Sequence, residues 1–176
     1  MDKEEVKALV KKAKHGDAKA FGSLYGEYAL SLYRFALSVL KNHDDAEDAV
    51  QSASVIAFRK IGDLKKDESF KSWFFTILYN ECRKISLSKI RVNEVSVEDI
   101  AVYEREGPDS TEKYDLISLL DTLSLNEKSI VMLSVFEGYN SEEIGKMLGM
   151  KAGSVRSSLS RLLKKLRNQI EGADNE

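Results

Sequence analysis

The sequence predicts an all-α protein of two helical domains joined by a flexible acidic linker, the second domain ending in a helix-turn-helix. Three observations carry this. One proline and ten glycines in 176 residues leave long stretches free to run as helix and argue against an all-β fold of many turns. Apolar residues recur at three- and four-residue spacing in both halves of the chain. Between the halves that spacing fades across a segment of acidic residues, Gly107-Pro108 and Ser110-Thr111.

The elements follow in order. Val6, Leu9, Val10 and Ala13 place one face of a first helix, and Gly16 ends it. Asp17 is placed to cap a second helix, whose stripe is Phe21, Leu24, Tyr28, Leu32, Phe35 and Val39. Lys41-Asn42-His43 interrupts the pattern, and Asp44 or Asp45 is expected to accept from the free amides of a third helix. That helix buries Ala46, Ala49, Val50, Ala53 and Ala57, with Gly62 as its stop. A polar loop over 63–68 leads to Ser69, expected to cap a fourth helix through Phe70, Trp73, Phe74, Ile77 and Leu78 to about Ile90. After the linker at 92–112, Leu116, Leu119, Leu120 and Leu123 suggest a further helix. Ser124 with Glu127, and Asn140 with Glu143, have the spacing of capping boxes. The first opens a helix through Ile130, Val131, Leu133 and Val135 that Gly138 stops. The second opens a short helix with Ile144, Met147 and Leu148, closed by Gly149. The last helix runs from about Ala152 to Ile170.

Charge is segregated along the chain. The formal net charge is -2 and the sequence pI about 5.8, which by itself speaks against a nucleic-acid partner. The acidic excess, however, lies within 92–115, while 1–91 has a basic excess. Lys151, Arg156, Arg161, Lys164, Lys165 and Arg167 form a basic run without an acidic residue among them. A local stripe of this kind is what a phosphate backbone requires, whatever the global charge.

A short helix, a glycine-containing turn and a longer basic helix make a helix-turn-helix signature. On a helical wheel Ala152, Val155, Leu159, Leu162, Leu163 and Leu166 share one face. Gly153, Ser154, Ser157, Ser160, Arg161 and Lys164 share the other, with Arg156 and Lys165 at its edges. Small polar residues near the N-terminal end admit a helix deep into a major groove, and basic residues further on reach phosphates. In the fourth helix Thr76, Asn80 and Arg83 form a polar stripe suited to a nucleic-acid strand. Phe75 and Tyr79 leave from a third side, either to stack on bases or, the favoured reading, to fill a junction between helices. In the third helix Asp44, Glu47, Asp48 and Gln51, with Asp45 beside them, complement the helix dipole and also suit a basic partner.

Several of these segments resemble one family in order. Ala20 to Tyr25 with Tyr33 to Ala36, Asp45 to Gln51, and Ser69 to Ile77 with Asn80 are similar to the second conserved region of extracytoplasmic-function sigma factors, of the sigma-70 family. Glu142 to Gly149 and Gly153 to Arg156 resemble the fourth region. Ser158 departs from the family's usual arginine. The resemblance implies an alternative sigma factor that binds core RNA polymerase and promoter DNA and is held by an anti-sigma factor. The second region (1–91) would contact the polymerase clamp through Asp44, Asp45, Glu47, Asp48 and Gln51, and the minus-ten element through Asn80 and the 63–69 loop. The fourth region (113–176) would bind the minus-thirty-five element and the polymerase flap.

The rival reading is an autonomous helix-turn-helix regulator with a helical N-terminal domain, which would bind duplex DNA without polymerase. A helical adaptor without DNA function would leave the small-and-basic face of the last helix without a role. An enzyme is not expected: His15 and His43 lie far apart, Cys82 has no metal-spaced partner, and there is no glycine-rich phosphate loop. No cofactor or metal is implied. A single cysteine, a charged N-terminus and the lack of any apolar run of roughly 18–20 residues point to the cytoplasm.

Overall fold

A computed structural model describes residues 1–93 and 122–173. The expected linker at 92–112 and the helix through Leu116 to Leu120 lie essentially outside the described residues. Among these residues every regular element is helical: α1 (Lys3–Lys14), α2 (Ala18–Leu40), α3 (His43–Lys60), α4 (Phe70–Asn93), α5 (Leu125–Val131), α6 (Ser141–Leu148) and α7 (Ala152–Ala173).

Local chemistry explains most of the boundaries. The Asp17 carboxylate accepts from the amides of Lys19 and Ala20 and starts α2. Both expected capping boxes form, at Ser124/Glu127 and Asn140/Glu143. Three boundaries differ from expectation. Asn42, and neither Asp44 nor Asp45, caps α3, its Oδ1 accepting from the Asp45 amide at 2.9 Å. Lys41 closes α2 in the left-handed region (φ 58°), so the cap falls one residue after it and α3 already includes His43. Gly62 is not a left-handed stop, because the chain tightens into a 3-10 turn over Ile61–Asp63. The loop that follows is pinned by buried Leu64, and a second 3-10 turn, Asp67–Ser69, feeds directly into α4.

α2, α3 and α4 pack on one another, and α1 lies across α2 and the two 3-10 turns. All five alanine and valine positions expected on the buried side of α3 are buried; such small side chains let α3 approach α2 and α4 closely. Phe21, Phe35, Phe70, Phe74 and Phe75 form the aromatic centre, with Phe21 and Phe70 ring centroids 6.4 Å apart in an edge arrangement.

The second block does not stand apart. α5 packs on α2 and α6 on α4, and Ile130, Leu133, Ile144 and Val155 belong to the same buried cluster as the α2–α4 aromatics. Phe75 sits at the seam, its ring 5.6 Å from Phe35 and 6.4 Å from Tyr139. The Tyr79 hydroxyl donates to Asn126 Oδ1 at 2.7 Å, and Lys71 pairs with Glu137 at 2.8 Å beside the Tyr139 ring. Phe75 and Tyr79 therefore fill a junction between helices, and burial raises the Tyr79 and Tyr139 phenols above the usual tyrosine range.

Beyond Val131 the helix widens into a π turn over Met132–Phe136, with the Glu137 amide reaching back to the Met132 carbonyl at 3.3 Å. The extra residue per turn rotates Val135 off the apolar stripe. Val135, expected to be buried, is 54% exposed, and Phe136 beside it 61%.

Cys82 is fully buried in α4, and burial pushes its thiol up to about 12. A thiol so far from its thiolate form is unreactive at neutral pH. Ellman's reagent at pH 8 should leave the folded protein unmodified and should react with one thiol per chain once denaturant unfolds it. Rapid reaction without denaturant would show that α4 opens locally.

Candidate nucleic-acid interface

The turn between α6 and α7 depends on two glycines. Gly149 closes α6 in the left-handed conformation (φ 69°), where a Cβ would be strained. At Gly145 the difficulty is space: a Cβ would lie 2.6 Å from the Met150 carbonyl oxygen. The Met150 amide donates to the Gly145 carbonyl at 2.8 Å, so the turn folds back onto α6. Ile144, Met147, Leu148 and Val155 lock the two helices together beneath it.

This geometry leaves Ser154, Arg156, Ser157, Ser160, Arg161 and Lys164 on the solvent side of α7. Val155 and Leu162 point inward, whereas Leu163, expected on the apolar face, is 41% exposed. The Ser157 hydroxyl donates to the Gly153 carbonyl at 3.0 Å, which holds it close to its own helix. Arg161 is not simply directed at solvent: its guanidinium donates to Glu127 Oε1 at 2.9 Å, and Lys165 donates to Thr122 at 3.2 Å. Sequence reasoning found Glu127 as a helix cap and missed its second role, because a contact across 34 positions leaves no periodic trace.

Glu127 is therefore doubly engaged. The Ser124 backbone amide, with help from the Ser124 hydroxyl and the charges of Arg161 and Lys165, holds its carboxyl below the usual glutamate range against the opposing effect of partial burial. The sign follows from linkage: a carboxyl with a depressed folded pKa contributes stability above its unfolded value, near about 4.3, and loses it as pH falls through the folded value. Thermal melts of the wild type and Glu127→Gln should differ at pH 7 and converge towards pH 3. A difference that persists undiminished in acid would show that the carboxylate charge is not what stabilises this end of α5.

A second surface lies between α3 and α4. Thr76 is half-buried and its hydroxyl donates to the Ser72 carbonyl at 2.9 Å, so it supports the stripe more than it offers a contact. Asn80 and Arg83 are exposed. They line a groove of ≈ 630 Å³ together with Ile56, Lys60, Trp73, Ile77, Glu81, Lys84 and Leu87. Glu81 pairs with Lys84 at 2.5 Å, leaving a half-apolar, net cationic trough that suits a strand with exposed bases and phosphates.

The third surface is acidic. Asp44, Glu47, Asp48 and Gln51 are exposed on one face of α3. Asp45, grouped with them on sequence, turns away and pairs with Lys89 of α4; it fastens α3 to α4 and is not part of the open face. Glu47, Asp48 and Gln51 border a groove of ≈ 680 Å³ with Tyr25, Leu30, Tyr33, Val50 and Ser54. Leu30 is 59% exposed. An apolar floor with an acidic rim was not evident from α3 alone, since Leu30 and Tyr33 come from α2.

Two family models match the chain: sigma-70 region 2 over residues 24–89 and sigma-70 region 4 over residues 113–166. The RNA polymerase sigma factor SigV of Bacillus subtilis (strain 168) is 30% identical over 148 residues, covering 84% of this chain and 89% of SigV. The chain belongs to the extracytoplasmic-function sigma factors of the sigma-70 family. The sigma factor SigE of Mycolicibacterium smegmatis is 30% identical over 172 residues, 92% of this chain and 66% of SigE. Among solved structures, the sigma factor RpoE in complex with the anti-sigma factor NepR from Bartonella quintana aligns with TM-score 0.68 and 26% identity, covering 85% of this chain and 97% of that one. CnrH in complex with the cytosolic domain of CnrY aligns with TM-score 0.70 at 22% identity, over 96% and 98% of the two chains, and supports the fold. This sigma factor is thus an alternative specificity subunit for RNA polymerase, a regulatory protein in a non-catalytic family. No helix among its described residues is long and apolar enough to cross a membrane.

Proposed function

We propose that this sigma factor reads the minus-thirty-five element with the solvent side of α7 and the minus-ten element with the α3–α4 groove, Asn80, Arg83 and the 63–69 loop. The acidic rim of α3 docks on a basic surface of the polymerase clamp. The functional division follows 1–91, 92–112 and 113–176. The protein carries out no chemistry of its own and works in the cytoplasm, where polymerase and chromosome are. The related sigma factor RpoE has been crystallised with the anti-sigma factor NepR, and an anti-sigma partner is proposed here as well.

The observation that carries the reading is the division of α7 into a buried apolar side and a solvent side of small polar and basic residues, presented behind a glycine-closed turn. A regulator acting alone would share that helix but would need neither the acidic rim nor the groove on the first block.

Reconstituted holoenzyme tests it on two templates, a cognate promoter and one scrambled only in the upstream element. Arg161→Ala should lower transcription from the cognate template by the equivalent of about 1–3 kcal/mol and have little effect on the scrambled one, as expected for a base contact. Lys164→Ala should weaken both alike and reduce the salt dependence, as expected for a phosphate contact. If neither substitution matters on either template, α7 is not the upstream reader. Tight binding of the free protein to duplex DNA would favour the autonomous regulator.

A further inference from the structure

The bend between the two 3-10 turns is short, buried at Leu64, exposed at its tip and held by α1. Its backbone closes on itself twice, the Leu64 amide donating to Ile61 O at 3.2 Å and the Ser69 amide to Lys66 O at 3.0 Å. The Leu64 carbonyl and the Asp67 carboxylate face α1 instead. There the Lys14 ammonium donates to Leu64 O at 2.6 Å and to Asp67 Oδ1 at 2.5 Å. Lys14 and Asp67 side chains keep only 22% and 17% of their exposure, so this pair is shielded from the screening that weakens surface ion pairs. Between the two anchor points lie Lys65 and Lys66, both exposed. The bend continues from Lys60, which lines the cationic groove with Asn80 and Arg83.

We propose that Lys14 is a positioning residue for promoter reading. One ammonium, 50 and 53 residues away in sequence, fixes both ends of the bend. It thereby presents Lys65 and Lys66 to the phosphates of the minus-ten strand lying in the adjoining groove. The inference rests on the assignment of the groove and loop to the minus-ten element. Holding a short cationic tip in one geometry lowers the ordering cost of each contact it makes. α1 therefore serves DNA recognition without touching DNA.

Three variants in reconstituted holoenzyme test this: Lys14→Met, which keeps the stem and removes the ammonium; Lys14→Arg, which keeps the charge and two donors; and the tip variant Lys65→Ala/Lys66→Ala. Promoter melting is read from 2-aminopurine fluorescence in the minus-ten element, on cognate DNA and on DNA substituted there, beside core-polymerase affinity and thermal midpoint. Lys14→Met should lower melting of the cognate promoter about tenfold, within the range of one lost DNA contact. It should lower melting of the substituted template by the same factor and flatten its salt dependence, as expected for lost phosphate contacts, leave core affinity unchanged, and be largely reversed in Lys14→Arg. If the tip variant lowers melting and flattens its salt dependence and Lys14→Met does neither, the positioning role is wrong while the groove assignment stands. If the tip variant leaves melting and its salt dependence unchanged, the loop does not contact DNA and both fall. If Lys14→Met lowers core affinity and melting on all templates in proportion to its thermal midpoint, the contact only supports the fold and the proposal is overturned.

Discussion

Phe75→Ala should destabilise the protein by about 3–5 kcal/mol, the usual range for removing a fully buried phenylalanine ring. The ring is completely buried and touches Phe35 on one side and Tyr139 on the other. Its loss opens a cavity where α2, α4 and the α5–α6 segment meet. The substitution also separates two readings of the same residue. A ring that stacks on bases would be dispensable for folding and required for promoter melting. A ring that fills the seam is required for folding, and its removal should shift the unfolding transitions of both blocks. Denaturant melts followed by circular dichroism, with hydrogen exchange in α6, make the comparison. A loss below about 1 kcal/mol accompanied by defective melting of DNA would restore the stacking role.

The second large effect is expected at the polymerase. If the acidic rim docks on a basic clamp surface as proposed, reversing Glu47 and Asp48 to lysine places two like charges against it, and such juxtaposition costs several kcal/mol. Affinity for core polymerase should fall on the order of a hundredfold, equivalent to about 2.7 kcal/mol. Helical content should not change, because Ala46, Ala49 and Val50 on the opposite side of α3 stay buried. Asp45→Asn serves as the internal control. Its partner is Lys89, so its effect should appear in stability more than in affinity. Unchanged binding of the double variant in competition at moderate salt would remove the acidic rim from the docking surface.

These contrasts show what sequence alone could carry. Asp17, Ser124 with Glu127 and Asn140 with Glu143 were legible because a cap acts within three residues of itself. The alanine face of α3 was legible because burial of one helical side imposes a period. The same logic failed where the period changed: Val135 is on the stripe of an α-helix and off the stripe of a π turn. It failed again where two side chains compete for one task. Asn42 took the cap of α3 from Asp44 and Asp45, because a left-handed Lys41 sets the helix start earlier. Pairings such as Arg161 with Glu127, Asp45 with Lys89 and Lys14 with Asp67 depend on how helices pack. Nothing local marks them. Phe75 and Tyr79 were legible as residues seeking a partner, but the partner helices follow the linker and only packing brings them near.

The buried thiol of α4 has a practical consequence. The chain has one cysteine, and in the folded protein it is shut away from solvent and poorly ionised. Cysteines introduced at exposed positions, Ser52 on the first block and Asn168 on the second, would therefore be the groups a maleimide dye finds, with the native sequence otherwise intact. A doubly labelled chain becomes a molecular ruler. Energy transfer between the dyes would report the separation of the two blocks, in the free protein and again on polymerase.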